Sequence, residues 1–171
     1  NIFVVGGTGT GKTTLAMALL RRASQLYPEE RIVTIEDTPE LKVNAWCHCQ
    51  LYTSEHRSLG DLIELALRLS PDRLVVGESR GRGILRLFDA MLTGHPGGIS
   101  TFHADSARKA LRRMMIYCRR ASDTGAHQET IAEAVDLIVV LTGRGEARRV
   151  HEIAAVDGLT SGGSFRLQSI T

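Results

Sequence analysis

Near the start of the chain, Gly6-Gly7-Thr8-Gly9-Thr10-Gly11-Lys12-Thr13-Thr14 satisfies the phosphate-loop pattern G-x-x-x-x-G-K-[ST] at every fixed position. Glycines there permit positive φ and close backbone approach, so successive N–H groups can surround a phosphate. Lys12 is placed to reach the β- and γ-phosphates of a nucleoside triphosphate, and the Thr13 hydroxyl to join a Mg²⁺ shell. ATP and Mg²⁺ are the ligands this chemistry expects.

Phosphoryl transfer to water also needs an oriented water and charge complementary to the γ-phosphate. Acids and an imidazole stand where short apolar runs end: Glu36-Asp37 after residues 31–35, Glu78 after residues 74–76, and His103 after residues 99–102. In open α/β sheets ligands bind outside the carboxyl ends of the strands. Either Glu36 or Glu78 could polarise the water, the other holding Mg²⁺ through its water shell. Glu36-Asp37 equally suits a solvated turn ahead of Thr38-Pro39, and a lone histidine such as His103 is more often structural than catalytic.

The elements that must position these groups follow from periodicity. Residues 1–5 (NIFVV) form a strand-type run, and Leu15, Ala16, Leu19, Leu20 and Ala23 recur at helical spacing after the loop. That helix should end near Tyr27, because Pro28 disfavours helix in the residue before it. Residues 31–35 (RIVTI) read as strand, and residues 40–57 give a weak signal with a short strand near 50–52. Ser58 can cap a helix running to about Leu69, its buried face formed by Leu62, Ile63, Leu65, Ala66 and Leu69. A strand at 74–76, a helix at about 84–93, a type II turn at His95-Pro96-Gly97-Gly98 and a strand at 99–102 follow. A basic helix over about 107–120, capped by Asp105 or Ser106, carries Arg108, Lys109, Arg112, Arg113, Arg119 and Arg120. A short helix at 128–135 leads to the most apolar strand, 137–141. Antiparallel strands around 150–156 and 164–170 close the chain, separated by Asp157-Gly158 and Gly162-Gly163 turn chemistry. The alternation predicts an α/β domain with a mostly parallel central sheet flanked by helices and antiparallel strands near the C-terminus.

With 171 residues, 43% of them hydrophobic, the chain suffices for a single domain over 1–171. It opens at Asn1 directly before a strand and is expected to be a piece of a longer protein. A formal charge of +2 does not by itself imply a nucleic-acid partner. Neither a signal peptide nor a membrane-spanning apolar run is evident, and a cytoplasmic location is expected. Three cysteines argue against a disulfide scaffold, and Cys47-His48-Cys49 lacks the second pair of a zinc site.

One departure narrows the family. A generic Walker B strand ends in Asp or Asp-Glu, whereas this one ends in Gly77-Glu78. The stretches IEDTPEL (35–41), LVVGESRG (74–81) and TGHPGGISTFHAD (93–105) closely resemble the Asp box, Walker B and His box of the secretion-superfamily ATPases. Within that superfamily, HPGGIST and the short β-rich ending look most like the conjugal-transfer TrbB-like and VirB-type traffic ATPases. The resemblance implies a RecA-like P-loop domain, the C-terminal ATPase domain of its parent. It makes Glu36 the favoured water-activating base, Glu78 the Walker B acid, and His103 a contact or sensor of the γ-phosphate. Arg80 matches the arginine of the Walker B segment, where it pairs with an acid or lines a subunit boundary; His95 is left as a turn residue. Tyr52 stands where close relatives are expected to carry arginine. The resemblance further implies a hexameric ring on the cytoplasmic face of the inner membrane, associated peripherally through secretion or conjugation channel components. The family's arginine fingers lie largely in an N-terminal domain absent here, so this chain alone should be a poor ATPase.

Alternatives remain open: a type II secretion or type IV pilus ATPase, or a nucleic-acid-translocating or recombination ATPase reading DNA through the basic helix. Against the last, Leu111, Met114, Met115 and Cys118 form the interleaved stripe expected to pack on the core. A small-molecule kinase would lack an arginine-rich lid and leave the His box unexplained.

Overall fold

The computed structural model describes residues 1–170. Its strands are β1 (Ile2–Gly6), β2 (Ile32–Glu36), β3 (His48–Tyr52), β4 (Arg73–Val76), β5 (Ile99–Phe102), β6 (Leu137–Thr142), β7 (Arg149–Leu159) and β8 (Phe165–Ser169). Its helices are α1 (Lys12–Leu26), α2 (Leu59–Leu67), α3 (Gly83–Leu92), α4 (Ala107–Ala121) and α5 (His127–Ala134). The strands form one sheet in the order β3-β2-β4-β5-β1-β6-β7-β8. All pairings from β3 to β6 are parallel, and β6–β7–β8 is antiparallel, as expected.

Parallel strands are stable when helices cover both faces, and the residues obey that rule. Phe3, Val5, Val33, Ile35, Leu74 and Val76 point to the face covered by α2 to α5, where Phe88, Leu111 and Met114 fill the larger core. Ile32, Val75 and Ile99 turn to the other face and meet Ala16 and Leu20 of α1. Each fully enclosed leucine or phenylalanine contributes about 1.5–3 kcal/mol over its exposed state. The site therefore rests on rigid strand ends.

The helix boundaries have local causes. Ser58 caps α2 in a reciprocal capping box with Asp61. For α4 the cap is Ser106, whose hydroxyl accepts from the Lys109 N–H at 3.3 Å. Gly97 adopts φ 76°, as the third place of a type II turn requires. In α4 the predicted stripe is buried at Leu111, Met114 and Cys118, and burial pushes the Cys118 thiol up to about 11.

Two expectations need correction. Leu65 is 43% exposed rather than buried. The contact face of α2 centres on Leu59, Leu62, Ile63 and Ala66, and Leu65 sits roughly 110° around the helix from that centre. Asp157-Gly158 is not a turn: β7 runs through it to Leu159, and the pairing with β8 shifts register between Val156 and Leu159. Gly158 at φ 72° absorbs that bulge, and the reversal falls after it, where the Thr160 N–H donates to Ser164 O at 2.8 Å. No helix among the described residues is long and apolar enough to cross a membrane.

Candidate functional site

The carboxyl ends of β1, β2, β4 and β5 open into one cleft of about 400 Å³. Thr8, Gly9, Lys12, Thr13, Glu36, Glu78 and His103 line it together. Sheet order does this: β4 lies beside β2 and β5, and β5 lies beside β1. Thr14 is exposed on α1 and does not line the cleft, whereas Gly6, Gly7, Thr10 and Gly11 shape the loop.

A Cβ at Gly6 would lie 2.5 Å from Thr10 Oγ1 and 2.7 Å from Leu141 O, so the loop can fold back only over glycine. The Thr10 hydroxyl and Lys12 Nζ both donate to Gly7 O, at 2.9 and 3.0 Å. Gly11, the N-cap of α1, offers no capping side chain. The first-turn N–H groups and the helix dipole are thus directed at the space inside the loop, where they favour an anion. Burial lowers the pKa of Lys12, and Glu78 and Glu40 partly oppose that shift.

Glu36 is only 4% exposed. Its Oε1 accepts from the Glu40 N–H at 3.0 Å and the Leu41 N–H at 2.8 Å, which folds the segment after β2 back over the cleft. Its Oε2 is buried without a hydrogen-bond partner among the described residues. A buried carboxylate oxygen left unpaired is costly in an apolar setting. Its free lone pairs fit a water or the hydration shell of a cation. Glu36 also explains Gly77, since a Cβ there would lie 3.0 Å from Glu36 Cγ. Glycine before Glu78 is what lets this side chain fill the space between β2 and β4.

Glu40 escaped the sequence reading, although it lines the cleft and accepts from the Thr13 hydroxyl at 3.0 Å. The available signal was its place four residues after Glu36, but the fold-back that brings it to Thr13 is a tertiary event. Thr13, Glu40 and Glu78 make an all-oxygen donor set of the hard type that suits Mg²⁺.

Glu78 Oε1 lies 3.4 Å from His103 Nε2. Arg113 donates to His103 O at 2.9 Å while its guanidinium stands over the Phe102 and Tyr117 rings. The His103 pKa falls below its ordinary 6.5, chiefly through burial and then through Lys12 and Arg113, with Glu78 opposing. The folded state thus binds fewer protons at His103 than the unfolded state does. Its contribution to stability is present above pH 6.5 and is lost as pH falls through the lowered value. Between about pH 7.5 and 5.5, the melting temperature of the wild type should fall further than that of His103→Asn. Parallel melting curves for the two proteins would contradict this.

Arg80 forms an ion pair with Asp37 across the mouth of the cleft. His95 is a turn residue, its Nδ1 2.8 Å from Pro71 O and remote from the cleft. His48 is engaged with the Thr34 hydroxyl at 3.1 Å. Tyr52 ends β3 level with Glu36. Arg148, also missed in the sequence, donates from Nε to Gly9 O at 3.1 Å.

Comparison with known proteins agrees with this architecture. The chain is 43% identical over 158 residues to the conjugal transfer protein TrbB of Rhizobium radiobacter, covering 92% of this chain and 49% of that protein. It is 38% identical over 174 residues to the type IV secretion system protein PtlH of Bordetella pertussis, covering 92% and 50%. The crystal structure of the VirB11 ATPase from the Brucella suis type IV secretion system, in complex with sulphate, superposes with a TM-score of 0.82 at 27% identity, covering 90% of this chain and 47% of that one. The chain thus spans about half the length of the relatives it matches. Residues 1–148 match the Type II/IV secretion system protein family, and on motifs, fold and sequence alike the chain belongs to that family.

Proposed function

We propose that residues 1–171 are the ATPase domain of a type IV secretion or conjugal-transfer motor, hydrolysing ATP to ADP and phosphate. The carrying observation is Glu36: a carboxylate enclosed in the cleft beside the phosphate loop, with one oxygen pinned by two amides and the other without a hydrogen-bond partner among the described residues. In this reading the loop amides and Lys12 hold the β- and γ-phosphates. Thr13 and Glu78 would hold Mg²⁺, and Glu40 adds charge beside Thr13. Mg²⁺ supplies neutralisation of the charge on the transferring phosphoryl group. Glu36 takes a proton from the attacking water as its oxygen bonds to Pγ and the bond from Pγ to the bridging oxygen breaks. His103, whose side chain lies beside Glu78 in the cleft, contacts the γ-phosphate as a hydrogen-bond partner.

The acidic wall of this cleft is open: Glu78 and His103 are each more than one-third exposed in their side chains. Completion of the site by groups outside this chain, in a hexameric ring, accounts for that openness. The ring would stand at the cytoplasmic face of the inner membrane, docked to channel components; similarity to a conjugal transfer protein and a type IV secretion system protein supports the transfer role in this reading. The test is ATP turnover by the full-length protein over a concentration series. The rate per subunit should rise with concentration, and residues 1–171 alone should be much slower. Concentration-independent turnover by a stable monomer would overturn the ring. Stimulation by DNA that collapses steeply with salt would instead favour a nucleic-acid role for the exposed Arg108, Arg112 and Arg119 of α4.

A further inference from the structure

The acids and His103 line one side of the phosphate loop, but the loop has a second neighbour. Strand β6 lies on the opposite flank of β1, with Leu141 level with Gly6. The chain then reverses into β7 through residues 143–148. Gly143 has φ 81°, and a Cβ there would fall 2.0 Å from Ala147 O, so the reversal closes tightly on itself and depends on glycine. Two arginines ride on it. Arg148 reaches across the loop: its Cδ comes within 3.6 Å of where a Gly11 Cβ would stand, and its Nε donates to Gly9 O at 3.1 Å. Arg144 Nε lies 4.0 Å from the corresponding point on Gly9.

The carbonyl of Gly9 and the N–H of Thr10 share one planar trans peptide and point in opposite directions. Holding the carbonyl therefore fixes the N–H. Among the described residues the Thr10 N–H meets only Gly7 O, at a long 3.5 Å. Gly9 stands at φ 78°, and glycine imposes little barrier of its own against rotation of that peptide. We propose that Arg148 is a positioning residue for nucleotide binding: anchored by the β6–β7 reversal, it locks the Gly9–Thr10 peptide with its N–H turned away from Arg148, ready for phosphate. The inference rests on the nucleotide site proposed above and adds a residue to it, 139 positions away from its partner in sequence.

The experiment is equilibrium binding of a fluorescent ADP analogue to residues 1–171 for the wild type, Arg148→Ala, Arg148→Lys and Lys12→Ala, with thermal melting of each without nucleotide. Arg148→Ala should bind about tenfold more weakly with an unchanged melting temperature, the loss expected for one charge-assisted hydrogen bond. Arg148→Lys should regain most of the affinity, because a single donor to one carbonyl does not need the guanidinium fork. In the full-length protein Arg148→Ala should raise KM for ATP and leave kcat at saturation nearly unchanged. Wild-type binding that Lys12→Ala abolishes and Arg148→Ala leaves intact would overturn this role while the nucleotide site stands. A fall in affinity matched by a fall in melting temperature and unrelieved by lysine would also overturn it, leaving only a structural role. Absence of binding by the wild-type full-length protein as well would sink both readings.

Discussion

Lys12→Ala is expected to abolish detectable nucleotide binding by residues 1–171 and to lower kcat/KM for ATP in the full-length protein by at least about 100-fold, or roughly 2.7 kcal/mol of transition-state stabilisation. The reasoning starts from placement. Lys12 is the first residue of α1, buried at the floor of the cleft, with Nζ already held 3.0 Å from Gly7 O inside the loop. Alanine removes the one lysine among the residues lining the cleft. It leaves Glu36, Glu40 and Glu78 facing a triphosphate with their main counter-charge gone. The fold should survive, since Lys12 belongs to neither hydrophobic cluster. Fluorescent-ADP titration and phosphate release, with melting as the control for folding, decide the matter. Near-wild-type affinity in a folded variant would exclude the loop as the nucleotide site.

The second large effect is expected at Glu36. Glu36→Gln should retain ATP and hydrolyse it about 100- to 10,000-fold more slowly, the range general-base catalysis supplies. Glutamine is nearly isosteric, so its oxygen can still accept from the Glu40 and Leu41 amides and preserve the fold-back of that segment. What changes is the other atom: an amide nitrogen replaces the unpartnered Oε2 and cannot take a proton from water. Glu78→Gln provides the contrast. Glu78 sits beside His103 at the exposed side of the cleft, and its loss should show as a higher Mg²⁺ concentration needed for half-maximal activity as well as slower turnover. Single-turnover kinetics with bound ATP separates binding from chemistry. Normal turnover in Glu36→Gln would move the base to Glu78.

The readable part of this protein was the part encoded locally. The phosphate loop lies on consecutive residues, and the positive φ of Gly9 and Gly11 is a local backbone need. Apolar runs and helical stripes placed the strands near their observed limits, because burial against a sheet imposes the same periodicity wherever it occurs. Together with the phosphate loop, the motifs at residues 35–41, 74–81 and 93–105 then tied four strand ends to one family, borne out by the match over residues 1–148.

The tertiary structure decided what depended on neighbours distant in sequence. Whether Asp157-Gly158 turns or bulges is set by pairing with β8, and which side of α2 is buried is set by what packs on it. Glu40 reaches Thr13 only because the Glu36 carboxylate gathers the intervening backbone, and Gly77 is glycine because Glu36 occupies the place of its Cβ. Arg148 meets Gly9 only because β6 was laid beside β1. Sequence by itself determined the family, the phosphate loop and the element types, since those arise from interactions within about one turn or one strand. The fold alone determined which acids converge, which carboxylate oxygen is left without a partner, and which arginine braces the loop, since those follow from sheet order and register.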